Sequence, residues 1–282
     1  MKLISAIVPC YNEEENVSYF YDEFIKNKSF FDANDLAYEL IYVDDGSSDA
    51  TAAEVRKLIE KDSNVHLILL SRNFGKESSM YAGMQMAKGD YVVIMDSDLQ
   101  DPPSLIPELY GYLQEGYDVA ATRRTTRKGE PPIRSFFARA FYHIINKWSQ
   151  TEIVDGARDY RLMTRQVVDA VLSMSEYCRF SKGIFSWVGF RTKWVEYENI
   201  ERVKGETKWN FWSLFTYAMD GIVGFSTAPL KIASITGSVF CMISVIMIIF
   251  TIVRKLAFGD PTSGWPSLVC IIFLVRGVQM LC

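Results

Sequence analysis

The first 125 residues alternate short apolar runs with segments in which apolar residues recur every three or four positions. The apolar runs predict buried strands, at residues 3–8, 38–43, 65–70 and 91–95, with a further strand that begins at 118–122. The periodic segments predict helices, at residues 14–31, 77–88 and 105–115, with another helix after Asp49, which can cap it. Strands that alternate with helices favour an α/β fold with a mainly parallel sheet covered on both faces.

The last fifty residues or so follow a different pattern. Residues 232–253 carry no formal charge, and at about 1.5 Å per residue they are long enough to cross a hydrocarbon core of about 30 Å. A second apolar stretch starts at residue 265, contains Arg276 and is incomplete at the end of the chain. We therefore expect a domain at 1–230 followed by a membrane anchor at 231–282.

Two further segments are rich in aromatic residues, one near 134–150, where they are interleaved with basic residues, and one near 209–226. Helices of this composition suit the headgroup boundary of a membrane. Core helices of the first domain would show a similar pattern, and both interpretations stay open here.

Composition narrows the function. The 282 residues carry a net charge of -4, which argues against nucleic acid as a partner. The five cysteines show no paired spacing and indicate reduced thiols rather than a disulfide framework.

Polar clusters follow three of the predicted strands, at residues 11–13, 44–45 and 96–98. In open α/β sheets ligands bind beyond the carboxyl ends of the strands, so these clusters are expected to face one site. The chain contains neither of the glycine-rich phosphate loops, G-x-G-x-x-G after the first strand or G-x-x-x-x-G-K-[ST]. Phosphate must then be held by other means.

Asp96 and Asp98 lie two positions apart directly after the fourth strand. If the chain bends there, both carboxylates can reach one Mg²⁺ or Mn²⁺ ion, which commonly bridges protein carboxylates to substrate phosphates. Such a metal eases the departure of a nucleoside diphosphate. An acidic pair of this kind is more often simply solvated, so its position beside two other acidic strand ends is what favours a site.

The ordered motifs of the chain resemble those of family 2 glycosyltransferases. They read IVPCYNEEENV, VDDGSSDAT, LSRNFGKE, GDYVVIMDSDLQDPP, DYRLM, RFSKGIFSWVGF and RVKGETKW. The group that they are most similar to is the polyprenyl-phosphate sugar synthases, which include dolichol-phosphate mannose synthase and the bacterial GtrB-type glucosyltransferases. The resemblance runs from about residue 3 to about residue 280 and implies a GT-A type nucleotide-sugar-binding domain followed by transmembrane helices.

The resemblance also implies roles for individual residues. The expected nucleotide-sugar site comprises Pro9, Tyr11, Glu13, Asp44, Asp45, Asp96 and Ser97. The expected metal ligands are Asp96, Asp98 and Gln100. The expected catalytic residues are Asp98, Asp159, Arg123, Arg202 and Lys208, with the three cations facing diphosphate or acceptor phosphate.

Asp159 has two interpretations. It matches the acidic residue proposed as the base in this group, but a phosphate acceptor is already ionised near neutral pH and needs little deprotonation. Asp159 would then orient the acceptor or a basic partner. A structural salt bridge to Arg158 or Arg161 is the alternative.

We therefore expect an inverting enzyme that moves a hexose from a nucleotide-sugar such as UDP-glucose to a polyprenyl phosphate such as undecaprenyl phosphate. The expected location is the cytoplasmic (inner) membrane, with the catalytic domain facing the cytoplasm, and similar enzymes with this anchor can form homo-oligomers. A processive polysaccharide synthase and a non-catalytic membrane scaffold that binds nucleotide-sugars are the alternatives. The former usually carries a Gln-x-x-Arg-Trp motif, which this sequence lacks.

Overall fold

The computed structural model describes residues 1–124, 146, 154, 156–176, 179–197, 216, 219, 221, 223–258 and 264–281. They belong to two compact units, Met1–Gly224 and Phe225–Cys282. The segments near 134–150 and 209–226 lie largely outside the described residues, so their interfacial placement stays a prediction.

A seven-stranded sheet organises the first unit, in the order β3-β2-β1-β4-β6-β5-β7. Its strands are β1 (Lys2–Cys10), β2 (Leu36–Asp44), β3 (Val65–Leu69), β4 (Tyr91–Ile94), β5 (Val119–Arg124), β6 (Ala157–Thr164) and β7 (Thr192–Tyr197). Strand β6 is antiparallel to both of its neighbours, β4 and β5, whereas the other pairings are parallel. The predicted α/β fold with a mainly parallel sheet is confirmed.

Seven described helices flank this sheet. They are α1 (Val17–Ile25), α2 (Lys28–Ala33), α3 (Thr51–Lys61), α4 (Lys76–Met86), α5 (Ile106–Gln114), α6 (Arg165–Ser173) and α7 (Ser181–Trp187), and a 3₁₀ turn at Pro103–Leu105 precedes α5. The single helix predicted at 14–31 was wrong in one respect, because the chain breaks into α1 and α2. The buried amide of Asn27 lies at the break and donates to the carbonyl oxygens of Phe24 and Pro103, each at 3.1 Å. A side chain that bonds local carbonyls in this way competes with helix continuation.

Helix α4 packs directly on the sheet beneath the acidic strand ends. At Gly83 a Cβ atom would lie 2.3 Å from Cγ2 of Ile7 on β1 and 3.2 Å from Cγ2 of Val43 on β2. Only glycine therefore permits this close approach. The contact sets the height of α4 over β1 and β2, and so the position of its first residue, Lys76.

The second unit contains two apolar helices, α8 (Ala228–Phe258) and α9 (Trp265–Leu281). Within α8, the 25 residues Leu230–Arg254 are long and apolar enough to cross a membrane, and an 18-residue window within them has a mean hydropathy of 2.4. The apolar part of α9 is shorter, Cys270–Gln279. Gly277 brings α9 close to α8, since a Cβ there would lie 2.5 Å from Sγ of Cys241. The predicted anchor boundaries stay a prediction.

Candidate active site

The acidic pair lies where the chain turns after β4. Asp98 and Ser97 are buried, and the Asp96 side chain is 23% exposed. Oδ1 of Asp98 accepts the backbone N–H of Gln100 at 3.1 Å, and Leu99 between them has a left-handed φ of 57°. The turn that a shared cation requires is therefore present at these residues.

A lysine joins the first of these carboxylates to Asp159. The Nζ of Lys76 lies 2.6 Å from Oδ1 of Asp96 and 2.6 Å from Oδ2 of Asp159. The sequence patterns assigned no role to Lys76, although it stands in the LSRNFGKE motif. A single lysine at the start of a helix gives no spacing pattern, and only the fold brings it to Asp96 after β4 and Asp159 in β6.

The charge of Asp159 is strongly stabilised. Burial alone would raise its pKa, but the attraction of Lys76, then of Lys182 and Arg161, outweighs burial and holds the pKa of Asp159 well below its usual range. Its ion pair is with Lys76, whereas Arg161 donates from Nε to the backbone carbonyl of Asp159 at 3.3 Å. The other oxygen of Asp159, Oδ1, is buried and accepts no hydrogen bond from the described residues.

Arg158 occupies a second polar cluster, one step along β6. Its Nε donates to Oδ1 of Asp101 at 3.3 Å, and its terminal nitrogen donates to Oε1 of Gln100 at 3.2 Å. The hydroxyl of Tyr197 donates to the same oxygen of Asp101. Gln100 thus lies beside the acidic pair with its amide oxygen on Arg158, and its role as a metal ligand stays a prediction.

The acidic residues after β2 hold loops. Both oxygens of Asp45 accept backbone N–H groups, from Phe74 at 2.7 Å and Gly75 at 2.8 Å. Oδ1 of Asp44 accepts the N–H of Ser47 at 3.0 Å and its hydroxyl. Both aspartates are buried. Their predicted contact with the nucleoside is untested, and Asp45 has a further effect because it fixes the residues that precede Lys76.

The loop after β1 packs against the loop after β2. Pro9, near the end of β1, pairs with Val43 of β2. Beyond Tyr11, the N–H of Asn12 donates to Oγ of Ser47 at 2.8 Å. The N–H of Glu13 donates to Oγ1 of Thr51 at 2.8 Å. The structure thus brings together the first two predicted polar clusters at one edge of the sheet.

Of the three predicted catalytic cations, only Arg123 lies within the described residues. Arg123 is described: its Nε donates to Oε1 of Glu196 at 3.0 Å, across the β5–β7 pairing, with side chains that are 41% and 51% exposed. Arg202 and Lys208 lie outside the described residues, so their roles stay predictions.

A cavity of about 670 Å³ opens beside Asp159. Ala157 and Arg161, which flank Asp159 in β6, line it together with Lys182, whose charge acts on Asp159. The cavity also contains cationic and aromatic side chains, from Arg123, Lys182, Phe185, Phe190 and Trp194. The Arg161 guanidinium lies 3.8 Å from the centre of the Phe185 ring. None of the described lining residues is acidic, so the cavity suits an anion with apolar substituents.

The donor set at the strand ends suits a divalent cation completed by substrate. Within the described residues no cluster of three or more histidine, cysteine or acidic side chains forms a metal cage. Mg²⁺ typically takes only one or two carboxylates and fills its remaining positions with phosphate and water oxygens. Asp96 and Asp98 supply such a pair.

Comparison with known proteins decides the family. The model of glycosyl transferase family 2 matches residues 5–172. The chain belongs to this family. This glycosyltransferase is 41% identical over 279 residues to the putative glycosyltransferase CsbB of Bacillus subtilis. The alignment covers 99% of this chain and 84% of the relative. It is 38% identical over 278 residues to the prophage bactoprenol glucosyl transferase homolog of Escherichia coli, covering 99% and 90%.

Solved structures share the fold of this glycosyltransferase. A mannosyltransferase from Pyrobaculum calidifontis, solved with GDP-mannose and Mn²⁺, has a TM-score of 0.50 at 17% identity, covering 98% of this chain and 73% of that one. The mannosyl-3-phosphoglycerate synthase of Rubrobacter xylanophilus has a TM-score of 0.52 at 16% identity, covering 78% and 72%. The expected GT-A-like α/β fold and the family 2 resemblance are confirmed.

Proposed function

We propose that this glycosyltransferase transfers glucose from UDP-glucose to a polyprenyl phosphate of the bactoprenol type, with inversion at the anomeric carbon. The observation that carries the proposal is the basic cavity that adjoins Asp159, next to the acidic strand ends. Relatives named bactoprenol glucosyl transferase, aligned over 99% of this chain, support the choice of sugar and acceptor.

The donor half of the site follows from the strand ends. Asp96 and Asp98 would hold Mg²⁺ or Mn²⁺, with Gln100 as a further ligand once it leaves Arg158. The metal would neutralise charge on the departing nucleoside diphosphate. The nucleotide-sugar would be bound by residues at the edge of the sheet described above. These are Pro9, Tyr11, Glu13, Asp44, Asp45 and Ser97. Arg123, Arg202 and Lys208 would face phosphate oxygens.

The acceptor half uses the cavity. A phosphate oxygen of the lipid attacks the anomeric carbon as the bond from that carbon to the diphosphate oxygen breaks, and the bonding electrons leave with the nucleoside diphosphate. Lys182 and Arg161 would attract the acceptor phosphate through charge-assisted hydrogen bonds. The acceptor is already ionised, so the reaction requires no strong base. The lowered pKa of Asp159 agrees with this, because such a carboxylate orients cations better than it removes protons.

The lipid acceptor calls for a membrane location. Helix α8 would anchor the chain through Leu230–Arg254, with the first unit on the cytoplasmic side of the inner membrane, where nucleotide-sugars are available. The proposal extends to a homo-oligomer. Cross-linking of the chain in native membranes tests that part separately.

The experiment uses the full chain in detergent or membranes, radiolabelled UDP-glucose and undecaprenyl phosphate, with and without Mn²⁺ or Mg²⁺. We expect a lipid product that carries one glucose and that forms only when the metal is present. GDP-mannose and UDP-N-acetylglucosamine are tested as alternative donors. Long polymer would identify a processive synthase instead, and donor binding without product would identify a scaffold. Asp98→Ala should abolish transfer, whereas Asp169→Asn, on the exposed side of α6, should leave it unchanged.

A further inference from the structure

We propose that Lys76 is the resident cation of the acidic site: its ammonium group holds Asp96 and Asp159 together before the donor binds, and a divalent metal must displace it from Asp96. The inference rests on the proposed metal-dependent function. It adds a positioning residue, and it explains how metal and donor binding become coupled.

The geometry supports a competition for one oxygen. The two contacts of Nζ, to Oδ1 of Asp96 and Oδ2 of Asp159, have the same length of 2.6 Å. An ammonium at that distance uses the lone pairs and the charge of Oδ1 that a metal on Asp96 would also use. With Lys76 in place, the charge of Asp96 is already neutralised, so a metal that arrives alone gains less from this carboxylate.

The backbone of Lys76 is held from both sides. Before it, Asp45 binds the N–H groups of Phe74 and Gly75, and Gly75 has a φ of 93°. After it, the carboxylate of Glu77 accepts the backbone N–H of Ser181 at 3.2 Å as well as its hydroxyl, at the start of α7. These anchors leave only side-chain torsions free to move the ammonium.

The side chain has room to move. It is 31% exposed, against 16% for Asp159. When metal takes Asp96, Lys76 can keep its bond to Asp159, so the departure from one carboxylate does not strand a buried charge. The ammonium would then stay between the metal-bound donor and the cavity, where it holds Asp159 in its charged form.

A consequence is that metal binds weakly until a diphosphate supplies further ligands. Removing the ammonium should therefore strengthen Mn²⁺ binding in the absence of donor, even though it weakens catalysis. We expect Lys76→Met to bind Mn²⁺ about tenfold more tightly than the unchanged protein without nucleotide, as loss of one like charge from a partly exposed site implies. Lys76→Arg keeps the charge and should bind like the unchanged protein.

The test measures free Mn²⁺ by electron paramagnetic resonance, with the full chain in detergent, with and without UDP. Lys182→Met is the matched control: it also removes a positive charge that acts on Asp159, and its Mn²⁺ affinity should change less than threefold. Lys57→Met, on the exposed face of α3, controls for general charge. Circular dichroism checks that each variant is folded.

Two results would overturn the proposal. One is a folded Lys76→Met protein whose Mn²⁺ affinity without UDP equals or falls below that of the unchanged protein. The other is an equal gain in Lys182→Met, which would make the effect one of net charge. Because the measurement contains no acceptor and no sugar, a wrong acceptor or sugar in the proposed function leaves its outcome untouched. Failure of Mn²⁺ to bind even with UDP would sink both proposals.

Discussion

The Nζ of Lys76 lies 2.6 Å from Oδ2 of Asp159, and this contact changes what the aspartate can do. A carboxylate that is paired with an ammonium and close to Lys182 and Arg161 has its pKa lowered despite its burial. It stays ionised throughout the neutral range, which makes it a weak base. Its effect on transfer is then electrostatic, through the cations that it places near the reacting phosphate.

Asp159→Asn should therefore slow transfer without changing its dependence on acidity. We expect kcat to fall by about 100-fold, because Lys76 loses one of its two anchors and the cations near Asp159 lose the charge that orients them. Since the folded pKa is below the ordinary value, Asp159 is charged above pH 5 and contributes no acid limb there. The kcat profile from pH 5 to pH 9 should keep its shape. A limb that is present in the unchanged protein and absent from the variant would instead identify Asp159 as the base.

Two helical glycines give opposite expectations for stability. Gly83→Ala in α4 would force a Cβ to within 2.3 Å of Ile7 and should cost about 1–3 kcal/mol through overpacking. At Gly111 in α5 a Cβ meets no atom within 4 Å, so Gly111→Ala should stabilise the fold by about 0.5–1 kcal/mol. Thermal unfolding in detergent, followed by circular dichroism, measures both. Equal shifts of Tm in the two variants would contradict the packing of α4 on β1.

Asp62 predicts a pH-dependent contribution to stability. Burial alone would raise its pKa, but hydrogen bonds from Tyr38 at 2.6 Å, the Asn64 N–H at 2.9 Å and Tyr21 at 3.1 Å lower it overall. A lowered folded pKa means that the stabilisation is present above the unfolded value of about 3.9 and is lost as the pH falls through the folded value.

Asp62→Asn should accordingly cost about 1 kcal/mol at pH 7, and the difference in Tm from the unchanged protein should shrink between pH 5 and pH 3. Asp35→Asn is the control, because the Asp35 side chain is 80% exposed, and its Tm should match that of the unchanged protein at each pH. A difference for Asp62→Asn that stays constant down to pH 3 would show that the charge of Asp62 has no part in holding β2 to α3.

Hydrophobic patterning was sufficient for β1 to β5 because each of these runs is mainly apolar and is followed by polar or charged residues. It was insufficient for β6, where Arg158, Asp159 and Arg161 interrupt the strand. Arg161 is almost fully buried; carbonyl oxygens of Arg158 and Asp159 accept from its guanidinium, which also lies over the ring of Phe185. A sequence pattern predicts that a charged residue in a strand is exposed, because its tertiary partners are not known from the sequence.

In the candidate site, too, some residues could be predicted from the sequence and others could not. Asp96 and Asp98 could be predicted because the end of a parallel strand already implies a direction and a shared edge. Lys76 could not, since its partners are 20 and 83 positions away along the chain. Asp45 illustrates a third case: the sequence placed it correctly at the edge of the sheet, but its contacts with Phe74 and Gly75 depend on the path of the loop before α4.

Tyr197→Phe should destabilise the cluster beside the acidic pair. The Tyr197 hydroxyl donates to Oδ1 of buried Asp101, whose Oδ2 accepts no hydrogen bond from the described residues. Loss of this donor leaves Arg158 as the remaining described donor to that carboxylate, and a poorly solvated buried charge should cost about 1–3 kcal/mol. Tyr112→Phe is the control, because its hydroxyl donates an exposed hydrogen bond of 3.3 Å to Glu108. Its Tm should stay within about 1 °C of that of the unchanged protein. Since Arg158 also binds Gln100, we further expect Tyr197→Phe to raise the KM for the nucleotide-sugar more than it lowers kcat. An unchanged Tm and KM would show that Asp101 does not depend on Tyr197.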